Sequence, residues 1–381
     1  MFIKAIFWAS LLLALYVYFL YPVTASILAS VLKRRVKRNP IEPGVTIVIA
    51  AFNEEAHIGA TIENKLNIDY PKDRVEIIVI SDSSTDRTDE IVKGYAASGV
   101  RLIRQEPRQG KTAALNRAVP EAKGEIVVFS DSNSIYSKSA LKELVSNFSD
   151  PTVGYVTGKM VYVNGDGSVI GDGCSAYMKY ENWLRGVETS IGSIVGVDGG
   201  IDAVRKRLFS PMQPDQIPDF ILPLKVIEKG YRVVYDPAAL LNENSLGKSS
   251  DEYRMRVRVS LRSMHALWDM KHLLNPFRYG FYSWQLFSHK VLRYGMFAFL
   301  GTMYFFNLAL VQERFYLISF VLQNIFYASA AMGLYIERKG RENTSLFYIP
   351  FYFGLINLAA AHAFWKFLRN ERQVTWTPRK G

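Results

Sequence analysis

A single cysteine, Cys174, is the first scarcity in this chain of 381 residues. One thiol excludes any intrachain disulfide and agrees with a reducing compartment, where a buried structural thiol is the role it suggests. No strand-like run leads into GxGxxG, which argues against a dinucleotide-binding fold of the usual kind. Internal repeats and low-complexity segments are absent, so no repeat architecture is expected. Basic residues outnumber acidic ones, 46 to 35, for a formal charge of +11. They nevertheless form no aromatic-interleaved stripe of the kind that tracks single strands, and nucleic acid is excluded as a partner on that ground.

What the chain has in excess is apolar sequence, gathered in blocks. Phe2 to Leu32 contains one charge, Lys4. A cleavable signal would have a shorter core and a small-residue cleavage site, so the block reads as a membrane anchor in preference to a signal peptide. Lys33, Arg34, Arg35, Lys37 and Arg38 follow it directly. That positive-inside pattern places the next domain in the cytoplasm, at the plasma membrane, with basic side chains against lipid headgroups. The expected organisation is an N-terminal transmembrane helix (1–32), a basic linker (33–43), a water-soluble α/β domain (44–250), amphipathic interfacial helices (251–290), a C-terminal transmembrane region of about three segments (291–368) and a basic tail (369–381). The three segments fall near 294–311, 315–336 and 346–368. Three full crossings would carry the basic tail to the outer side, against the charge rule. Either one segment is interfacial or re-entrant, or the tail is translocated.

The central domain alternates buried strands and helices. Apolar runs at 45–51, 75–80, 100–104 and 126–129 read as strands, with helices opening after Asn53, after Asp86 and near Lys111. That alternation implies right-handed crossovers and a mostly parallel sheet. Further strands are expected at 153–163, 201–205 and 233–235, and helices near 175–188 and 215–230. Past Asp251, arginines 254, 256, 258 and 262 on an apolar segment describe an amphipathic helix at a membrane surface. Trp183, Trp268 and Trp284 read as interface anchors.

Three polar clusters follow three of these strands: Asn53 to Glu55, Asp82 to Asp86, and Asp131 to Asn133. Clusters at strand C-termini converge on one rim of a parallel sheet, where open α/β sheets collect ligands. Asp131 and Asn133 put two oxygen ligands on the same side of an extended segment, a spacing that suits a hard divalent cation, although Asp, Ser and Asn are also common turn formers. With Lys111 at another helix start, the clusters describe a site for a nucleotide diphosphate; taken one by one, each reads equally as a helix cap or a turn.

The set VTIVIAAFNEE, VISDSSTDRT, GKTAALNRA and VVFSDSN, in this order, resembles the nucleotide-sugar-binding half of the family 2 inverting glycosyltransferases. The resemblance continues through GVDGGIDAVRK, PDFILPLKVIEKGYRVVYDP and the arginine-rich helix, over about residues 44 to 275, and is closest in kind to membrane-integrated polysaccharide synthases of the hyaluronan, cellulose and chitin synthase type. It implies a GT-A fold flanked by transmembrane helices, a UDP-linked donor and Mg or Mn as cofactor. It further implies that Ala50, Asn53, Glu54, Asp82, Lys111, Asp131, Arg256 and Arg258 bind the nucleotide sugar, that Asp131 and Asn133 hold the metal, and that Asp198, Gly199, Gly200 and Trp376 lie on the acceptor side. Asp219 takes the place of the catalytic base, with Asp215 as the fallback. The chain departs from the family pattern at Asn133, Ile217 and Pro218, and at Met255 and Val259, where a processive synthase has glutamine and tryptophan.

The expected function is therefore a membrane-bound hexosyltransferase that passes a sugar to a growing glycan or a lipid-linked acceptor in cell-surface polysaccharide synthesis. A homo-oligomer or a separate exporter would serve secretion. The alternatives are a non-processive enzyme adding one sugar to a lipid carrier, or a catalytically silent nucleotide-sensing scaffold.

Overall fold

The computed structural model describes residues 1–163, 173–244, 249–340 and 344–375. The turn expected at 164–167 and Trp376 lie outside the described residues, as does the side chain of Cys174. A helix, α1, covers Phe2–Leu32. The alternation that follows is β1 (Val45–Ala51), α2 (Ile58–Leu66), β2 (Val75–Asp82), α3 (Thr88–Gly94), β3 (Val100–Gln105), α4 (Lys111–Glu121) and β4 (Ile126–Asp131). Next come β5 (Ile135–Tyr136), α5 (Ala140–Ser146), β6 (Val153–Val163), α6 (Gly173–Ile191), β7 (Ile201–Arg205), α7 (Pro218–Glu228) and β8 (Arg232–Asn244). The chain then continues through α8 (Ser249–Asp269), short helical turns between 271 and 294, α9 (Met296–Leu308), α10 (Arg314–Arg338) and α11 (Ser345–Leu368).

The strands form one mixed sheet in the order β3-β2-β1-β4-β7-β6-β8-β5. Its first four strands are parallel, as the alternation requires, and β7 joins β4 antiparallel. Every residue of β1 is buried, because helices cover both faces. Val48 and Ala50 face the core shared with Leu115 of α4, Leu224 of α7 and Ala266 of α8. Ile47 and Ile49 face the core shared with Ile62 of α2 and Leu144 of α5. Full burial of each such aliphatic side chain contributes about 1.5–3 kcal/mol, so Ile49→Ala in this double-sided core costs about 2–5 kcal/mol. Register places Ala50 opposite Asp131 and Ala51 opposite Ser81, so the polar clusters after β1, β2 and β4 do share one rim.

Two elements differ from the sequence expectation. The last strand runs on to Asn244, past Pro237, which ordinarily ends a strand. Irregular register between β6 and β8 around Thr157 and Lys159 absorbs the proline, after which pairing resumes at Lys159 and Leu240. The helix expected to open at Asn53 begins only at Ile58, because Asn53 adopts a left-handed conformation with φ 53° and turns the chain instead.

Helices α1, α10 and α11 are long and apolar enough to cross a membrane. Helix α9, with 13 residues, is about 20 Å long, short of the hydrocarbon core of about 30 Å. Lys4 pairs with Glu313 at 2.6 Å, so the turn between α9 and α10 lies beside the first turn of α1. The last three turns of α1 pack on α6, Tyr21 and Ala25 meeting Leu184 and Ile191. Helix α8 does not lie free at a surface: its Val257, Leu261 and Met264 pack against Ala359 and Ala363 of α11. Beyond α11, Arg372 pairs with Asp215 at 2.5 Å, which brings the start of the tail back to the α/β domain. Arg372, at the start of the tail, therefore lies beside that domain.

Candidate active site

The loop after β4 is held from beneath by α2. Thr61, Asn64 and Lys65 occupy one helical face and bond successive backbone groups of the loop. The Thr61 hydroxyl donates to the Ser132 carbonyl at 2.6 Å, and the Asn64 amide both accepts from the Tyr136 N–H at 2.8 Å and donates to its carbonyl at 2.9 Å. The Lys65 amine donates to the Ser134 carbonyl at 2.6 Å and lies 3.4 Å from the Tyr136 ring centroid. Burial pushes this amine well below the ordinary lysine range. A lysine at helical spacing reads from sequence as a solvated residue; nothing in the pattern marks it as a clamp.

Above that clamp the charged groups converge. The Lys111 amine, at the start of α4, donates to Asp131 Oδ1 at 2.6 Å and lies 3.8 Å from Asp219 Oδ1. Burial would lower its pKa, but the neighbouring Asp131 and Asp219 carboxylates outweigh burial and raise it, keeping the amine charged. Asp219 sits in the first turn of α7, after Pro218, where the helix dipole favours a carboxylate. Gly199 and Gly200 have φ of 77° and 75° and pass close above these groups. A Cβ on Gly199 would lie 2.8 Å from Asp219 Oδ2, and one on Gly200 would lie 3.6 Å from Asp131 Oδ2. Only glycine fits such an approach. Arg258 of α8 completes the ring: burial lowers its pKa while Asp131 and Asp219 oppose that.

Two residues that the sequence reading missed support this centre. Asp202 of β7 is fully buried, and neither carboxyl oxygen has a hydrogen-bond partner among the described residues. Burial first, then the Asp219 charge, raises its pKa well above the usual carboxylate range. Arg262 spans from α8 to the Thr112 hydroxyl at 2.8 Å and the Asp215 carbonyl at 3.0 Å, fixing the segment that leads into α7. Burial and the nearby Arg258 lower its pKa to about 10, so it stays charged at neutral pH.

The metal ligands named from sequence stand two positions apart at the end of β4: the Asp131 carboxylate, part-exposed, and Asn133, whose side chain has no hydrogen-bond partner among the described residues. Both are hard oxygen donors, and the missing side chain at Gly200 leaves room against Asp131 Oδ2. Among the described residues no group of three or more His, Cys, Asp or Glu is arranged to hold a metal. The residues thus fit a cation that draws its remaining ligands from a diphosphate and water.

Other sequence-named residues have partners within the fold. Asp82 is fully buried, and its oxygens already accept from Gln105 Nε2 at 2.6 Å and from the backbone N–H groups of Gln109 and Gly110 at 2.8 and 2.9 Å. It orders the loop before α4, and a nucleobase would have to displace these bonds. Arg256 points away from the centre, to Glu252 at 2.8 Å and the Tyr352 hydroxyl at 2.7 Å, because two helix positions separate it from Arg258 by more than half a turn. Asp198 is locked in a two-pronged, nearly buried ion pair with Arg185, both contacts at 2.5 Å, and so anchors the glycine turn. Asp215 is occupied by Arg372. Ala50 is buried in β1 and can offer only its backbone. The Glu54 N–H donates to the Thr88 hydroxyl at 2.8 Å, and the Asn53 side-chain oxygen accepts from the Thr85 N–H at 2.8 Å, so both tie the first loop to the second. On that side the Arg108 guanidinium stacks 3.4 Å over the Phe52 ring. The tail crosses the same mouth: a Cβ on Gly110 would lie 2.6 Å from the Val374 carbonyl.

Residues 46–192 match the glycosyl transferase family 2. The chain is 25% identical over 296 residues to a probable glycosyltransferase of Bacillus subtilis (strain 168), a match covering 75% of this chain and 67% of that protein. It is 31% identical over 169 residues to a beta-monoglucosyldiacylglycerol synthase of Nostoc sp. (strain PCC 7120), covering 43% of this chain and 36% of that one. Over 204 residues it is 28% identical to the poly-beta-1,6-N-acetyl-D-glucosamine synthase of Staphylococcus aureus (strain COL), covering 52% and 49%. The chain thus spans half or less of the length of these last two relatives. A mannosyltransferase from Pyrobaculum calidifontis, solved with GDP-Man and Mn2+, has the same fold, with a TM-score of 0.73 over 97% of this chain and 99% of that one at 22% identity.

Proposed function

We propose that this chain, whose residues 46–192 match the glycosyl transferase family 2, is a membrane-embedded hexosyltransferase that moves a sugar from a nucleotide donor, UDP-linked, to a glycan or lipid-linked acceptor with inversion at the anomeric carbon. The observation that carries this reading is the convergence of Asp131, Lys111 and Asp219 under the glycine turn, with the amine 2.6 Å from one carboxylate and 3.8 Å from the other. Asp219 takes the proton of the acceptor hydroxyl as its oxygen attacks the anomeric carbon. The approach over Gly199 and Gly200 admits that hydroxyl. Lys111 and Arg258 place positive charge where the diphosphate leaves. Asp131 and Asn133 would hold Mg or Mn, and a bound cation would neutralise charge building on the departing diphosphate. A nucleotide sugar and Mn2+ accompany the mannosyltransferase that shares the fold, which supports the same classes of donor and cofactor here.

The apolar helices and the basic run after α1 support a place at the cytoplasmic face of the plasma membrane. Val259 and Met255, in place of the tryptophan and glutamine of processive synthases, favour addition of a single sugar over polymerisation. The test is a screen of nucleotide sugars against the full-length protein in nanodiscs, reading release of nucleotide diphosphate with Mn2+ or with chelator, followed by sizing of the product. Chelator-sensitive release with one donor and a product one sugar longer is expected. Failure to turn over any donor would return the chain to the silent nucleotide-sensing alternative.

A further inference from the structure

Away from the catalytic rim, a cavity of about 580 Å³ opens where the last turns of α1 meet α6 and strands β6 and β8 of the sheet. The size is that of a small-molecule site. Ser30 of α1, Trp183 of α6, Lys159 of β6 and Tyr235 of β8 line it. Trp183, Tyr235 and Lys159 are each in a state that a self-contained surface leaves without explanation. Trp183 is 46% exposed although it is a large apolar side chain. The Tyr235 hydroxyl is buried without a hydrogen-bond partner among the described residues, while the residue as a whole is only 7% exposed. Lys159 takes part in no ion pair among the described residues. A cation without a counter-ion beside an exposed aromatic ring suits a ligand that is anionic at one end and apolar at the other.

The surroundings indicate which ligand. On α1, Val23, Ile27 and Val31 are 55%, 61% and 72% exposed and fall at successive four-residue spacing, an apolar stripe that ends level with the cavity. Lys33, Arg34, Arg35 and Lys37 follow at once, all exposed and in no ion pair among the described residues. The Arg34 N–H donates to the Ser190 carbonyl at 2.9 Å, which pins this basic run to the cavity rim, since Ser190 is itself a lining residue. An acyl-chain stripe, a polar pocket with an aromatic edge and a collar of unpaired cations match one occupant in chemistry. We propose that this cavity binds the headgroup of an anionic glycerophospholipid from the bilayer around α1, with the phosphate between Lys159 and the basic run that begins at Lys33 and an acyl chain along Val23, Ile27 and Val31. The Tyr235 ring also neighbours Arg185 and Asp198, the pair that anchors the glycine turn, so an occupied cavity would stiffen that support.

The experiment reads binding, not turnover, and so stands apart from the assigned activity. The full-length protein is exchanged into phosphatidylcholine nanodiscs with or without phosphatidylglycerol, and lipid retained after delipidation is quantified by native mass spectrometry. Phosphatidylglycerol should be retained at least tenfold over phosphatidylcholine. Lys159→Gln and Arg34→Gln should each cut that preference severalfold with thermal melting unchanged, while Lys123→Gln, on another surface, should not. Equal retention of the two lipids, or full phosphatidylglycerol preference in both cavity variants, would overturn the proposal. So would displacement of the lipid by a neutral oligosaccharide in preference to an anionic headgroup.

Discussion

Gly199→Ala tests the packing that holds the proposed base. At φ 77° an alanine meets the left-handed penalty, roughly 1–2 kcal/mol. Its Cβ would also stand 2.8 Å from Asp219 Oδ2, and ordinary contact begins at 3.4 Å, so the carboxylate must retreat by the difference, about 0.6 Å. The backbone of α7 cannot yield, because Phe220, Ile221 and Leu222 behind Asp219 are buried in the core. The side chain must therefore rotate, away from Lys111 and from the acceptor's path. Misplacement of a catalytic group on this scale lowers turnover about a hundredfold. Steady-state nucleotide release should show kcat down by roughly that factor, with donor affinity within about threefold because Asp131 and Lys111 are untouched. Melting should fall by about 5–10 °C, from a destabilisation of about 2–3 kcal/mol at 2–4 °C for each kcal/mol. Gly94→Ala is the control: nothing lies within 4 Å of its added Cβ. Wild-type kcat in Gly199→Ala would refute the placement of the base against this turn.

Asp202→Asn should show a pH signature. The folded pKa lies well above the unfolded value, so the native state holds a proton that the unfolded chain has lost, and stability falls as pH rises through that window. Asparagine removes this loss, so its melting temperature relative to wild type should climb from pH 4 to pH 8; a constant difference would contradict the assignment. Lys65→Met removes the amine beneath Ser134 and should weaken Mn2+ binding in the presence of UDP about tenfold with helix content unchanged, as read by manganese spin resonance; unaltered binding would show that Thr61 and Asn64 suffice. Asn133→Asp adds a charged oxygen to the same pair and should tighten Mn2+ about tenfold; weaker binding would mean that position 133 is no ligand.

The parallel half of the fold was legible because strands buried on both faces leave continuous Val and Ile runs, and 45–51 matches β1 residue for residue. Strand β8 was legible only to Tyr235, since Pro237 imitates a terminus that a register irregularity in fact absorbs. At the site, Asp131, Lys111 and Asp219 come together as their motifs suggest. What sequence hid are partnerships between distant residues. Asp198 resembles an acceptor ligand until Arg185, thirteen positions away, occupies it. Asp82 and Arg256 likewise carry suitable chemistry but spend it on the loop before α4 and on α11. The parity of the C-terminal helices was unreadable because hydropathy reports whether a helix can cross, whereas the Arg372–Asp215 pair reports where its end returns.

The central claim is that Asp219 removes the acceptor proton beside a donor held at Asp131 and Lys111, and Asp219→Asn examines it most directly. Asparagine keeps the shape and removes the base. With the donor identified by screening, the account predicts transfer reduced by at least a thousandfold while donor and Mn2+ binding, measured by calorimetry on the same protein, stay within about threefold. Transfer at the wild-type rate would contradict the account, and so would loss of donor binding in step with loss of transfer.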